Sequence, residues 1–349
     1  LRHISEEQLK QDATLFPVKD AWWHIQRPVL SFGEGKGSQG AGYYVAPNPP
    51  FGAVFTYYLP EDLKTRKVKR KEMEEKLREE DMNIPWPGWD ALEAERREQE
   101  PVIWMTVSDM EGNVIRRLKG PAKKGFHRIA WDLKYASPVP VDGEEEKGRD
   151  RGSFMVAPGK YMVSIASQVD GKISLLNEPR EFNVVRLHEG SLEGADPEVT
   201  AAFWKDLDET MEQLMAVSRK LASAVELTEK MQVALAKSET GPGKLDTCIF
   251  RLREKLLKLD EKLNGYSSKA DVGEKNPPNV RERLNVAITG TSYSTYGPTS
   301  THRKSLRLAQ KDLKEIIEEL KEITGVQIPA VIKKLNEAGA PWIEGVDLP

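Results

Sequence analysis

Cysteine is almost absent: Cys248 is the only one in 349 residues, so the chain can form no internal disulfide and no multi-cysteine metal site. Its place in an apolar helical stretch predicts a small buried side chain. Histidine is sparse too. His3, His24, His127, His188 and His302 fall in different segments, and no two have the i, i+4 spacing of a helical metal site. No metal or cofactor site is therefore expected. No run of eighteen apolar residues is present, so no segment is expected to span a bilayer. Neither sign of charge dominates: 52 basic residues against 55 acidic leave a formal net charge of -3. The basic field that draws proteins onto nucleic acid is missing. The first residues, Leu1 to Ser5, offer neither an initiator methionine nor a charged start before an apolar core. No signal peptide is expected in this chain, which reads as a processed or truncated piece of a longer product.

Motifs with catalytic or ligand-binding chemistry fail on context. Gly35-x-Gly37-x-x-Gly40 matches a dinucleotide fingerprint, but that chemistry needs a preceding strand and a following helix whose N-terminus takes the pyrophosphate. Pro47, Pro49 and Pro50 forbid such a helix. Lys36 precedes Gly37 rather than Ser or Thr, so a phosphate-cradling loop fails as well. Residues 33–42 read as a flexible linker. Carboxylates cluster among Lys and Arg from Glu72 to Glu80 and from Asp312 to Glu319, the pattern of solvated helix faces, and Glu144, Glu145 and Glu146 read as a surface loop. His127, four residues before Trp131, reads as a structural histidine. No residue is assigned a catalytic role.

The length suggests two domains, and the patterning separates them. Residues 1–46 hold a short helix from Ser5 to Asp12 and then linker. Residues 47–190 carry strand signals at 51–59, 101–107, 114–118, 125–133, 160–167, 172–176 and 180–187. Turn chemistry stands between several of them, at Asp109 to Asn113, at Pro158-Gly159 and at Asp170-Gly171. Short strands without long intervening helices predict an antiparallel sandwich. Residues 61–100 interrupt it as a helical insertion: one charged helix from about Asp62 to Glu80, and a second opening at Asp90 with Glu93 as its capping-box partner. Between the two, Trp86 and Trp89 are expected to fold back onto the sheet.

Composition changes around Gly190 to Gly194. Asp196-Pro197-Glu198 is a strong helix opening, and residues 196–349 follow as an antiparallel helical bundle. Three apolar seams carry it. They run through Leu207, Met211, Leu214, Ser218, Leu221, Val225 and Thr228, then Leu245, Ile249, Leu252, Leu256, Leu259 and Leu263, then Leu306, Ala309, Leu313, Ile316, Leu320 and Ile323. Shorter helices are expected from Asn279 to Ile288 and from Pro329 to Gly339. The whole is an α+β multidomain chain.

Several patterns carry a resemblance. Asp109-x-x-Gly112-Asn113-Val114-Ile115-Arg116-x-Leu118, Gly125-x-His127-x-x-x-Trp131-Asp132 and Ala157-Pro158-Gly159-x-Tyr161-x-Val163 resemble the immunoglobulin-like domain of flagellar hook-capping proteins and many exported bacterial proteins. More widely, the chain resembles the region following the propeller of bacterial sortilin-like, BNR-repeat β-propeller proteins. That resemblance lies in Leu15-Phe16-Pro17-Val18-x-Asp20-Ala21-Trp22, Asn48-Pro49-Pro50-x-Gly52-Ala53-x-Phe55-Thr56-Tyr57-Tyr58-Leu59, Pro87-Gly88-Trp89-Asp90, Gly297-Pro298-Thr299-x-Thr301 and Ala338-Gly339-Ala340-Pro341-Trp342. Such proteins are often labelled glycosyl hydrolases through the likeness of their propeller to sialidases. No propeller is present in this chain, and no catalytic residue of the family maps onto it.

The resemblance implies an exported protein of the periplasm, cell surface or medium. It implies a non-catalytic interaction region that docks against a β-propeller from the same precursor or another envelope-complex subunit. Of the eight tryptophans, Trp22, Trp23, Trp86 and Trp89, which stand outside the strands and before the helical bundle, are the candidate interface or ligand residues. The alternative is a glycoside hydrolase-associated carbohydrate-binding module, in which those rings would stack on a glycan.

Overall fold

The computed structural model describes residues 4–26, 46, 48–140, 153–189 and 193–346. The glycine-rich stretch with its fingerprint-like spacing, the acidic run at 144–146, His3 and residues 190–192 lie outside the described residues. The chain forms two units, one rich in sheet and one helical.

The sheet-rich unit opens with α1 (Glu6–Leu9), closed by a reciprocal cap between Ser5 and Gln8. Its strands are β1 (Thr14–Leu15), β2 (Ala21–Trp23), β3 (Ala53–Leu59), β4 (Val102–Asp109), β5 (Val114–Gly120), β6 (Gly125–Trp131), β7 (Gly159–Val169), β8 (Lys172–Leu175) and β9 (Arg180–Arg186). They form one sheet of order β1-β3-β6 and a second of order β2-β9-β7-β4-β5, with β8 also pairing β7. Alternation sets the core. Ala53, Phe55, Tyr57 and Leu59 are buried on β3, Ile103, Met105 and Val107 on β4, and Val163 and Ile165 on β7.

The two sheets meet through aromatic rings: Phe55 against Phe182 at 5.4 Å, and Trp131 against Tyr161 at 5.8 Å and Phe182 at 6.1 Å. Burying each such side chain contributes about 1.5–3 kcal/mol. Their polar tips are satisfied, since Trp131 Nε1 donates to the Lys134 carbonyl at 2.8 Å and Tyr161 OH to the Ala157 carbonyl at 2.6 Å. His127 is structural in this sense, with Nε2 2.5 Å from the Lys123 carbonyl and its ring 5.1 Å from Tyr57.

Two sequence expectations are corrected here. Residues 14–23, read as part of a linker, supply β1 and β2, which pair with β3 and β9. The apolar run Ala13, Leu15, Phe16, Ala21 and Trp23 is buried, and so belongs to the core. The pairing of β2 with β9 is parallel, so the sheets are not antiparallel throughout.

The helical unit contains α4 (Pro197–Ala236), α5 (Lys244–Asn264), α6 (Ser267–Asp271), α7 (Val280–Ser292), α8 (Ser300–Glu322) and α9 (Ile328–Glu337). The Asp196 side chain caps α4 by accepting from the Glu198 amide at 2.9 Å. Its buried seam is Leu207, Thr210, Leu214, Val217, Leu221, Ala224, Thr228, Met231 and Leu235, an unbroken 3-4 alternation. That corrects the expected register: Thr210, Val217 and Ala224 point inward where Met211, Ser218 and Val225 were anticipated. Thr210 and Thr228 are tolerated inside because each hydroxyl donates to a carbonyl of the preceding turn, at 2.7 and 2.6 Å. The α5 stripe from Ile249 to Leu263 and the α8 stripe from Leu306 to Ile323 are buried as their periodicity requires.

Between α8 and α9 the chain stays helical through a wide turn, Ile323–Gln327, in which the Ile328 amide donates to the Ile323 carbonyl. The widened turn accommodates Pro329, which has no amide to donate. Cys248 lies on α5 but is exposed, because the buried stripe passes through Ile249 and Leu252 instead.

Candidate functional site

The excursion between β3 and β4 contains α2 (Arg66–Glu79) and α3 (Trp89–Arg97). Thr65 caps α2, its side chain accepting from the Val68 amide at 3.2 Å. The base is tied to the connection between β5 and β6: Leu63 N–H donates to the Ala122 carbonyl at 2.9 Å, and Lys124 N–H to Asp62 Oδ1 at 2.7 Å. Arg66 adds an ion pair with Asp170 in the β7–β8 turn.

Beyond that base the arm is held by charge rather than by a core. The Arg70 guanidinium grips the Glu95 carboxylate with both prongs, Nε to Oε1 at 2.6 Å and Nη2 to Oε2 at 2.9 Å, and also pairs with Glu74. Hydrogen bonding from Arg70 holds the Glu95 carboxyl below the usual range. The Arg66 amide donates to Glu98 Oε2 at 2.7 Å.

Neither α2 nor α3 has a buried residue. Yet the excursion leaves Val68, Met73, Met82, Ile84, Trp86 and Trp89 exposed. Trp86 and Trp89 are 65% and 77% accessible, so the expectation that they fold back onto the sheet is overturned. Pro85, Pro87 and Gly88, whose φ is 85°, hold the loop, and Gly88 rather than Asp90 occupies the N-cap position of α3. The two indoles meet edge to face, 5.2 Å apart with planes at 77°.

The other two candidates separate by strand alternation. Trp22 points outward and is 53% accessible, whereas Trp23 points into the core, 3% accessible, with Nε1 donating to the Val156 carbonyl at 2.7 Å. Trp23 is a core residue, not a ligand platform. The alternation Ala21 in, Trp22 out, Trp23 in is the signal that separates them, and it became readable only once residues 21–23 were known to be a strand.

Sequence reasoning also missed a groove of about 610 Å³ in the helical unit, walled by α4, α9 and residues 344–346. Leu227, Ile328 and Ile332 supply its apolar floor, while Lys230 pairs with Glu226 at 3.0 Å and Glu344 at 3.9 Å. No group of three or more His, Cys, Asp or Glu side chains able to hold a metal is found among the described residues. No described helix is long and apolar enough to cross a membrane.

Searches against protein families, curated proteins and solved structures find no match to this chain. The functional reading therefore rests on the residues themselves. Their most distinctive arrangement is an arm whose two helices contain no buried residue and which exposes an aromatic pair.

Proposed function

We propose that this chain is a non-catalytic structural and interaction region of an exported, sortilin-like propeller protein. In this reading an immunoglobulin-like sandwich and an antiparallel helical bundle dock against a β-propeller, or against another subunit of an envelope or secreted complex. The contact is made by the α2–α3 arm. One observation carries the proposal: the arm exposes six large apolar side chains while contributing none to a core. The exposed Trp86–Trp89 pair is the centre of that surface, since tryptophan is a favoured anchor of protein contacts. The turn chemistry of the β4–β5 hairpin supports the immunoglobulin-like reading. Asp109 Oδ1 accepts from the Glu111 and Asn113 amides at 3.0 and 2.8 Å, and Gly112 takes a φ of 89°.

A glycan-stacking role draws less support from the geometry. Flat stacking on successive sugars calls for ring faces presented side by side, whereas Trp86 and Trp89 stand nearly perpendicular. Perpendicular rings form a wedge, which suits a crevice between protein elements.

The test is native co-purification with cross-linking, followed by affinity measurement on a Trp86→Ala/Trp89→Ala variant. A propeller should travel with the native chain, and the variant should bind it at least about 30-fold more weakly. The variant's own stability should change by less than about 0.5 kcal/mol, as for exposed side chains generally. A native chain that travels alone, or a variant that binds unchanged, overturns the proposal; a response confined to glycan titration would move the assignment to carbohydrate binding.

A further inference from the structure

Helix α2 carries its exposed charges in an order that works against the helix by itself. Lys67, Lys71, Glu75 and Glu79 follow at four-residue intervals and so form one row along its surface. All four are exposed, and none makes an ion pair with another described residue. Like charges repel within the row, Lys67 against Lys71 and Glu75 against Glu79. The first turn itself holds Arg66, Lys67 and Lys69 and no acidic residue; the carboxylate at the positive end of its dipole is supplied from outside the helix by Glu98, which accepts from the Arg66 amide. Arg70 turns toward α3, where Lys67 and Lys71 add a weaker attraction to Glu95, and the row stays exposed with Val68 exposed beside it.

A row that reads basic, basic, acidic, acidic is complementary to its own reverse. An anionic partner would meet Glu75 and Glu79, and a cationic one Lys67 and Lys71. A second copy of the same mixed order, run antiparallel, matches both halves. We propose that this face of α2 binds α2 of a second copy of the chain about a two-fold axis. Lys71 of one copy faces Glu75 of the other, and Lys67 faces Glu79. Each pairing occurs twice, as an isologous contact requires. Reversal also sets the two helix dipoles antiparallel, the first turn of each helix beside the last turn of the other. Trp86 and Trp89 take no part in this row, so self-association is separable from the partner docking proposed above.

Sedimentation of the full chain at low and high salt tests the idea. The expected result is a weak dimer at ~0.02 M salt, its dissociation constant raised roughly tenfold or more at ~0.5 M because exposed pairs are screened. Lys67→Glu/Lys71→Glu makes the row wholly acidic and Glu75→Lys/Glu79→Lys makes it wholly basic, so each variant alone should be monomeric. Their equimolar mixture should associate again, and so should the fourfold variant that exchanges both pairs. Because all four side chains are exposed, helical circular dichroism should melt as in the parent chain, which separates lost association from lost folding. A parent chain that is monomeric at both salts, charge reversals without effect, or a mixture that fails to associate each overturns the proposal.

Discussion

Replacing Gly52 by alanine tests how tightly the start of β3 is built against β6. Gly52 has a φ of 95°, and a left-handed backbone costs an L-residue about 1–2 kcal/mol. Space is the second obstacle. A Cβ at this position would lie 1.8 Å from the Trp131 carbonyl oxygen and 2.8 Å from its carbonyl carbon. Both are backbone atoms, so the strands must part where Ala53 pairs with Trp131. Such overpacking adds about 1–3 kcal/mol, for a total of about 2–5 kcal/mol. Gly112, with a φ of 89° and nothing within 4 Å of an added Cβ, is the control that isolates the backbone cost. Urea unfolding can follow the two units separately. Trp22, Trp23, Trp86, Trp89, Trp104 and Trp131 lie in the sheet-rich unit and dominate tryptophan emission, whereas far-ultraviolet circular dichroism follows the helices. Gly52→Ala should lower the emission midpoint two to three times as far as Gly112→Ala, by about these energies, and leave the helical transition in place. Equal shifts for the two variants would refute the close-approach argument.

The helical unit offers a parallel case. A Cβ at Gly290 would lie 2.2 Å from His302 Nε2, and that ring is fixed by accepting from the Thr299 amide through Nδ1 at 3.2 Å. Gly290→Ala should therefore destabilise the helices by about 1–2 kcal/mol. In a thermal melt, the Gly290→Ala/His302→Ala double variant should be no less stable than His302→Ala alone, since the obstacle is gone. Asp132 gives a pH signature: desolvation raises its carboxyl pKa, despite the opposing pull of Arg116. A raised carboxyl pKa means that the ionised form is disfavoured in the fold. Asp132→Asn should thus be more stable than the parent at neutral pH, and still accept from the Lys134 amide. That gain should vanish once the pH falls below the unfolded value of about 3.9, as melting temperatures across pH would reveal.

The four tryptophans singled out from the sequence had different fates, and the reasons are local. Trp23 was hidden because three residues, Ala21 to Trp23, are too few to betray a strand by alternation, and the partner strand, Arg180–Arg186, lies far along the chain. Trp86 and Trp89 sit among prolines and glycine, where local chemistry fixes a turn but not what the turn faces. The α2 charge row could be read from the sequence once the helix bounds were known. Its availability could not, because it depends on Arg70 engaging Glu95 across the arm.

By itself the sequence determined whatever is periodic or capped locally. The strand runs of β3, β4 and β7, the turn at Asp109 to Asn113, the opening of α4 at Asp196-Pro197 and the stripes of α5 and α8 all follow from spacing and side-chain chemistry within a few residues. Tertiary structure decided what depends on distant partners. It drew β1 and β2 into the sheets, made the β2–β9 pairing parallel and rotated the α4 seam by one position toward Thr210 and Ala224. It also left Cys248 and the Trp86–Trp89 pair in solvent. Local chemistry restricts how a residue's own backbone folds, but which side of it is covered depends on elements elsewhere in the chain.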